Sequence, residues 1–398
     1  MVSKKIEKAL QGSSAIRAMF NEGKEMAALY GAENVYDFSL GNPATPAPEK
    51  VNEAIKQAVD ELNPLELHGY MSNAGYEDVR KAMADNLNGR FGTDFTEKNI
   101  VMTVGAAGGL NIIFKTLLNP GDEVVVFAPY FGEYRAYAAN FDAVIVEVAP
   151  DFESFQPDLQ EFEKKLTAKT KVVLVNTPNN PTGVVYSEDT MKQIAAILEK
   201  KEKEYGHEIY LVSDEPYREL VYDDVQELFL TKYYRNTIVG YSFSKSLSLP
   251  GERIGYVAVP NEVVDAQKIL DGLEVSNRTL GFVNAPSLIQ KAAAAAVEEK
   301  TDVDFYDRNR KLLYEGLTKL GFCCVKPQGA FYLWMKSPDE DEERFVENAK
   351  KYHIILVKGS AFACPGYVRM AYCVSSDMIQ KSLPEFEKLA REYGLKNE

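Results

Sequence analysis

The chain is short of the residues that build metal centres and disulfide frameworks. Its 398 residues include three histidines (His68, His207, His353) and four cysteines (Cys323, Cys324, Cys364, Cys373). The histidines are scattered, and no two cysteines have the spacing of a zinc or redox pair. The cysteines are expected to be reduced, mostly buried thiols, and no metal site is expected. Apolar runs of about 18 residues, the length that crosses a bilayer, are also missing. The N-terminus, Met1 to Lys8, has no hydrophobic signal region. A cytoplasmic protein without a membrane span is expected. Basic residues are in deficit as well: 45 Lys and Arg against 59 Asp and Glu leave a net charge of −14. That sign argues against a nucleic-acid surface and offers no basic stripe to anionic lipid.

Against these absences, the middle of the chain alternates two patterns. Short apolar runs read as strands at 124–127, 143–148, 171–175, 209–212, 237–241 and 254–259. Amphipathic stretches between some of them read as helices, one from Asp158 to about Leu166 with Asp158 as N-cap, another from Glu188 to about Glu204. Continuous apolar strands alternating with helices predict an α/β fold in three layers, a mostly parallel sheet covered on both faces. Beyond about residue 290 the order changes. A long helical stretch over 285–320 leads to a strand near 330–335, a helix at 342–351, strands near 354–357 and 368–374, and a last helix through 385–393. This order suggests a smaller α+β domain. The acidic run at 338–343 reads as a solvated helix start, because acids favour helix N-termini.

The most informative run is Ser242-Phe243-Ser244-Lys245-Ser246-Leu247-Ser248-Leu249-Pro250-Gly251-Glu252-Arg253. A lysine amine forms a Schiff base with an aldehyde, and the hydroxyls and arginine around it can hold a phosphate. Together they suit pyridoxal 5′-phosphate (PLP). Four further motifs point the same way. Thr103-Val104-Gly105-Ala106-Ala107-Gly108-Gly109 follows a strand-like run and opens a helix, where backbone N–H groups favour an anion. Asn179-Asn180-Pro181-Thr182-Gly183 follows one strand, Asp214-Glu215-Pro216-Tyr217 ends another, and Pro129-Tyr130-Phe131 follows a third. Gly41-Asn42-Pro43, Tyr70, Pro327-Gln328-Gly329-Ala330-Phe331 and Gly366-Tyr367-Val368-Arg369 complete the set.

In that order the motifs resemble the class I/II aminotransferases, PLP enzymes of the aspartate aminotransferase superfamily with fold type I. The resemblance runs from about Asp37 to Arg369. It implies a PLP-dependent aminotransferase of amino-acid metabolism, moving an amino group from an L-amino acid to a 2-oxo acid by ping-pong half-reactions. It implies that Lys245 holds PLP and moves the proton. Asp214 would pair with the ring nitrogen, and Asn180 and Tyr217 would contact the phenolic oxygen. Phe131 would stack on the ring, while Gly105, Ala106, Ala107, Ser242 and Arg253 surround the phosphate. Arg369 would grip the α-carboxylate, a task suited to a guanidinium fork, with Gly41 and Asn180 beside it. Tyr70 would reach the phosphate of a neighbouring subunit, so a homodimer with composite sites is implied. The domains implied are a large one at 46–290 and a small one at 291–398, the latter joined by the N-terminal segment 1–45.

Two other readings share the fold. A PLP-dependent carbon–sulfur β-lyase usually carries a basic residue after the Asn-Pro-x-Gly turn, and here Val184 follows Gly183. An effector-sensing domain of a transcription regulator would need a DNA-binding module, and about forty residues precede Gly41. The chain also departs from aspartate-specific members. A lysine that one subgroup carries in the Gly-rich turn is Ala107 here, and Arg278 is one position out of register with the arginine of another. A dicarboxylate preference is therefore in doubt, with Arg278 and Arg17 the candidates for a distal-carboxylate contact.

Overall fold

The computed structural model describes residues 2–11 and 15–395; the side chains of 8, 9, 11 and 15–18 lie outside the description. Thirteen strands appear in chain order: β1 Tyr36–Asp37, β2 Ile100–Thr103, β3 Glu123–Phe127, β4 Val144–Val148, β5 Thr170–Asn176, β6 Tyr210–Asp214, β7 Thr237–Ser242, β8 Gly255–Ala258, β9 Cys324–Val325, β10 Tyr332–Lys336, β11 Ile354–Ile355, β12 Val357–Lys358 and β13 Tyr367–Ala371. Seven of them form one sheet in the order β2-β8-β7-β6-β5-β3-β4. Neighbours are parallel from β4 through β7, and β8 runs antiparallel to both β7 and β2. Each of these strands except β4 is almost wholly buried, as a sheet covered on both faces requires. One cover is the helix Gly105–Leu117, whose Leu110, Ile113 and Phe114 pack onto the sheet. The other includes the helix Glu188–Tyr205, which buries Met191, Ile194 and Leu198. Ser187 caps that helix by accepting from Thr190 N, and Gly206 ends it in the left-handed conformation.

A second sheet, β12-β13-β10-β9, is antiparallel throughout. It packs against the helices Val303–Lys319, Glu342–Lys350 and Ser376–Glu392 around Phe331, Leu333, Phe345 and Phe386. β1 pairs with β11 and so ties the N-terminal part of the chain to this unit.

Three expectations need correction. The helical stretch over 285–320 is two helices, Ser287–Ala295 and Val303–Lys319. Asp302 starts the second by accepting from Phe305 N, and the first packs on the helix Glu49–Glu61. The last helix is longer than its apolar pattern suggested: it begins at Ser376, capped by Ser375. The acidic run is only partly solvated. Asp341 caps the helix Glu342–Lys350, but Glu342 turns inward and accepts from Ser360 N (2.9 Å) and Gly366 N (2.6 Å). That carboxylate clamps the turn leading into β13, the strand that carries Arg369. The four cysteines are free: Cys364 and Cys373 are buried, and Cys323 is exposed. Among the described residues no helix is long and apolar enough to cross a membrane.

Candidate active site

Asn176, Asp214 and Ser242 end three neighbouring strands, and Thr103 ends β2 on the same edge. The carboxyl edge of a parallel sheet is where open α/β folds bind ligands, because loops diverge there. Here the small sheet closes over that edge and leaves a cavity of about 290 Å³. All the sequence-expected site residues line it except Gly105 and Tyr70. Gly105 lies behind the wall, at the start of the helix Gly105–Leu117 with φ +74°. A Cβ there would come within 2.5 Å of Arg253 Nη2, so the glycine makes room for the guanidinium. Tyr70 is 94% exposed and does not line the cavity.

Lys245 lies in the short helix Phe243–Ser246, started by Ser242, whose Oγ accepts from Ser244 N. Its Nζ donates to Gly41 O (2.6 Å). Burial, together with the nearby positive charges of Arg369 and Arg253, lowers its pKa to about 8 although Cys373 opposes the shift. The amine is therefore closer to its neutral, nucleophilic form at neutral pH than an exposed lysine.

Asp214 is buried and lines the same cavity. Tyr134 Oη donates to Asp214 Oδ2 (2.5 Å), while Oδ1 is buried with no hydrogen-bond partner. Burial pushes this carboxyl up to about 7; the Tyr134 bond opposes the shift and the charge of Glu215 adds to it. Behind it, Asn176 Nδ2 donates to Asp214 O and Asn176 Oδ1 accepts from Asn180 N. Asn180 sits in the turn after β5, whose Gly183 O accepts from Gln328 N and Gly329 N. Two of the motifs read separately in the sequence thus dock on each other.

Arg369 is fully buried on β13. It donates from Nη1 to Asn180 Oδ1 (3.0 Å) and from Nη2 to Ser39 O (2.5 Å), and its Nε has no partner. Burial pulls its pKa below the usual guanidinium value. Arg253 donates to Pro250 O and Val104 O and faces the Gly-rich turn. Among the described residues, the cations lining the cavity are Lys245, Arg253 and Arg369. Arg278 is exposed at the end of the helix Ala266–Thr279 and does not line it; the side chain of Arg17 lies outside the description.

Sequence reasoning missed Tyr134, Tyr137, Asn176 and Tyr332, all of which line the cavity. For Tyr134 the available signal was its place three residues after Phe131 in an aromatic-rich run. Core packing accounts for such a run equally well.

The sequence model of the family described as aminotransferase class I and II matches residues 33–384. The aspartate aminotransferase of Thermotoga maritima is 32% identical over 378 residues, 93% of this chain and 95% of that protein. The aspartate/prephenate aminotransferase of Thermus thermophilus is 32% identical over 357 residues, 88% of this chain and 90% of that protein. The crystal structure of an amino transferase from Eubacterium rectale shares 47% identity and superposes with a TM-score of 0.96, covering 99% of each chain. The fold, the ordered motifs and these likenesses agree: the chain belongs to the class I and II aminotransferase family and is an enzyme of that kind, a transaminase.

Proposed function

We propose that this cavity binds PLP and that the protein moves the amino group of an L-amino acid to a 2-oxo acid in two half-reactions. Asp214 carries the reading. A buried carboxylate with one oxygen held by Tyr134 and the other bare is costly unless a cation or a donor meets it. A protonated ring nitrogen supplies both.

The other residues fit the same group. The phosphate is placed at the N-terminus of the helix Gly105–Leu117, beside Arg253, Ser242 and the Ala106-Ala107 turn, where helix dipole and guanidinium both favour an anion. Phe131 supports one face of the ring, and Asn180 and Tyr217 take the phenolic oxygen. When bound, PLP supplies an aldehyde that captures an amine and a ring that draws electrons from the α-carbon. Lys245 removes the α-proton and returns it on the other side of the transferred nitrogen; its lowered pKa suits both directions. Arg369 holds the α-carboxylate with its fork and fixes the Cα–H bond relative to Lys245. Tyr134 keeps the Asp214 carboxylate aimed.

Among the described residues the three lining cations have these tasks, and Ala107 offers no charge to a distal carboxylate. Neutral and aromatic donors are therefore proposed to compete well with aspartate. The test is kcat/KM for alanine, phenylalanine and aspartate, with wild type and Arg369→Lys. The replacement keeps charge and loses the fork, so a loss of roughly 1.5–3 kcal/mol in transition-state binding, similar for every donor, is expected. A loss confined to one donor contradicts the role of Arg369. A strong wild-type preference for aspartate contradicts the substrate class.

A further inference from the structure

Tyr332 lines the same cavity and has no part in the reading above. It opens β10 in the small sheet and is buried. Three contacts hold it. Its Oη lies 2.9 Å from Tyr217 Oη, across the boundary between the small sheet and the loop after β6. Its ring lies under Arg369, with the guanidinium carbon 4.4 Å from the ring centroid. Its hydroxyl also sits so close to Gly41 that a Cβ on Gly41 would collide with it. The last contact gives Gly41 a reason to be glycine that is independent of any substrate.

The direction of the Tyr217–Tyr332 bond follows from counting protons. Each phenol has one proton to give and lone pairs to accept. If Tyr217 gives its proton to the phenolic oxygen of the cofactor, it can only accept from Tyr332. Hydrogen bonds in such a chain polarise one another, so a donor to Tyr217 makes Tyr217 a better donor in turn.

We propose that Tyr332 is a positioning residue serving both ends of the substrate: its ring is the platform for Arg369, and its hydroxyl donates to Tyr217 and strengthens the hold of Tyr217 on the cofactor. The inference rests on the cofactor reading of the previous subsection. Its two parts separate by substitution. Tyr332→Phe keeps the ring and removes the donor. Tyr332→Leu removes both.

The direct readout is the near-visible absorbance of the lysine-bound cofactor in the holoenzyme, titrated with pH. Tyr217 stabilises the deprotonated, high-pH form most, because that form leaves more negative charge on the phenolic oxygen. A weaker Tyr217 bond therefore raises the titration midpoint. Tyr332→Phe is expected to raise it by about half a unit to one unit, the size of one neutral hydrogen bond. In a Tyr217→Phe background the same change should add nothing, since the relay is already broken. KM should hold nearly constant in Tyr332→Phe and rise about tenfold for every donor in Tyr332→Leu, which also loses the platform. If Tyr332→Phe folds poorly, Gly41→Ala displaces the same hydroxyl and should raise the midpoint likewise. A wild type with no cofactor band contradicts the cofactor reading itself. A wild-type band that titrates, with midpoints unmoved in Tyr332→Phe and Gly41→Ala, overturns the role of Tyr332 alone. Additive shifts in the Tyr217→Phe background also overturn it.

Discussion

Two neighbouring acids, Asp214 and Glu215, meet opposite treatment although both are buried. Glu215 is fully engaged: Oε1 accepts from Ser213 Oγ (2.6 Å) and Oε2 from Arg218 Nε (2.5 Å). Arg218 in turn lies among the rings of Phe91, Phe229 and Tyr241. Asp214 has one bare oxygen, and burial raises its pKa from 3.8 to about 7. A carboxyl whose folded pKa lies above its unfolded value takes up its proton on folding. Its stabilising contribution is full below about pH 3.8 and is lost as pH rises through about 7. The cofactor-free protein should therefore lose stability between about pH 4 and 7 and level off above that range, by an amount on the order of a few kcal/mol at most. Asp214→Asn should flatten that slope, as read from denaturation midpoints across the pH range. An unchanged slope in the variant would place the raised carboxyl elsewhere. Loading the cofactor should also flatten the slope in wild type, because a ring cation restores the charged carboxylate.

At the scale of elements, the turn from β2 into the helix Gly105–Leu117 is the most constrained piece of the site. Gly105 has a positive φ and faces Arg253 Nη2 without room for a Cβ. Gly105→Ala combines backbone strain, about 1–3 kcal/mol, with displacement of the guanidinium. It should weaken phosphate-dependent cofactor binding by about tenfold or more, measured as the dissociation constant of PLP. An unchanged constant would show that Arg253 does not bear on the phosphate. Elements of this kind were legible in the sequence for a physical reason. Strands such as Val124–Phe127 and Val172–Val175 are apolar throughout because both sheet faces are covered, and turn residues mark their ends. The break at 296–302 was not legible, because the alanine run before it and the apolar pattern after it each favour helix. Only Asp302, acting as a cap, divides them. Tyr332 escaped notice because the run Ala330–Met335 reads as an apolar strand, and its contacts with Tyr217 and Gly41 come from distant parts of the chain. Glu342 looked like surface charge, since the partners of its carboxylate are backbone groups of a turn 18 and 24 residues further on.

For the whole molecule, Tyr70 is the residue one chain leaves without a task. It is 94% exposed, and Leu65 near it is 85% exposed. Exposed apolar and aromatic side chains such as these are suited to burial against another copy. We expect a homodimer in which Tyr70 completes the phosphate site of the partner subunit. Sedimentation should then give a dimer, and Tyr70→Phe should weaken cofactor binding; a fully active monomer would contradict this. The central claim, that Lys245 carries amino-group transfer in this cavity, has a more direct test. The cofactor-loaded protein is mixed with an amino donor and no acceptor, and the products are measured against the concentration of sites. The account predicts one 2-oxo acid formed per site, no ammonia, and a colour change that a 2-oxo acid reverses. It predicts neither the 2-oxo acid nor the colour change in Lys245→Ala, which should still fold. Sustained release of ammonia by wild type, or normal product formation by Lys245→Ala, would contradict it.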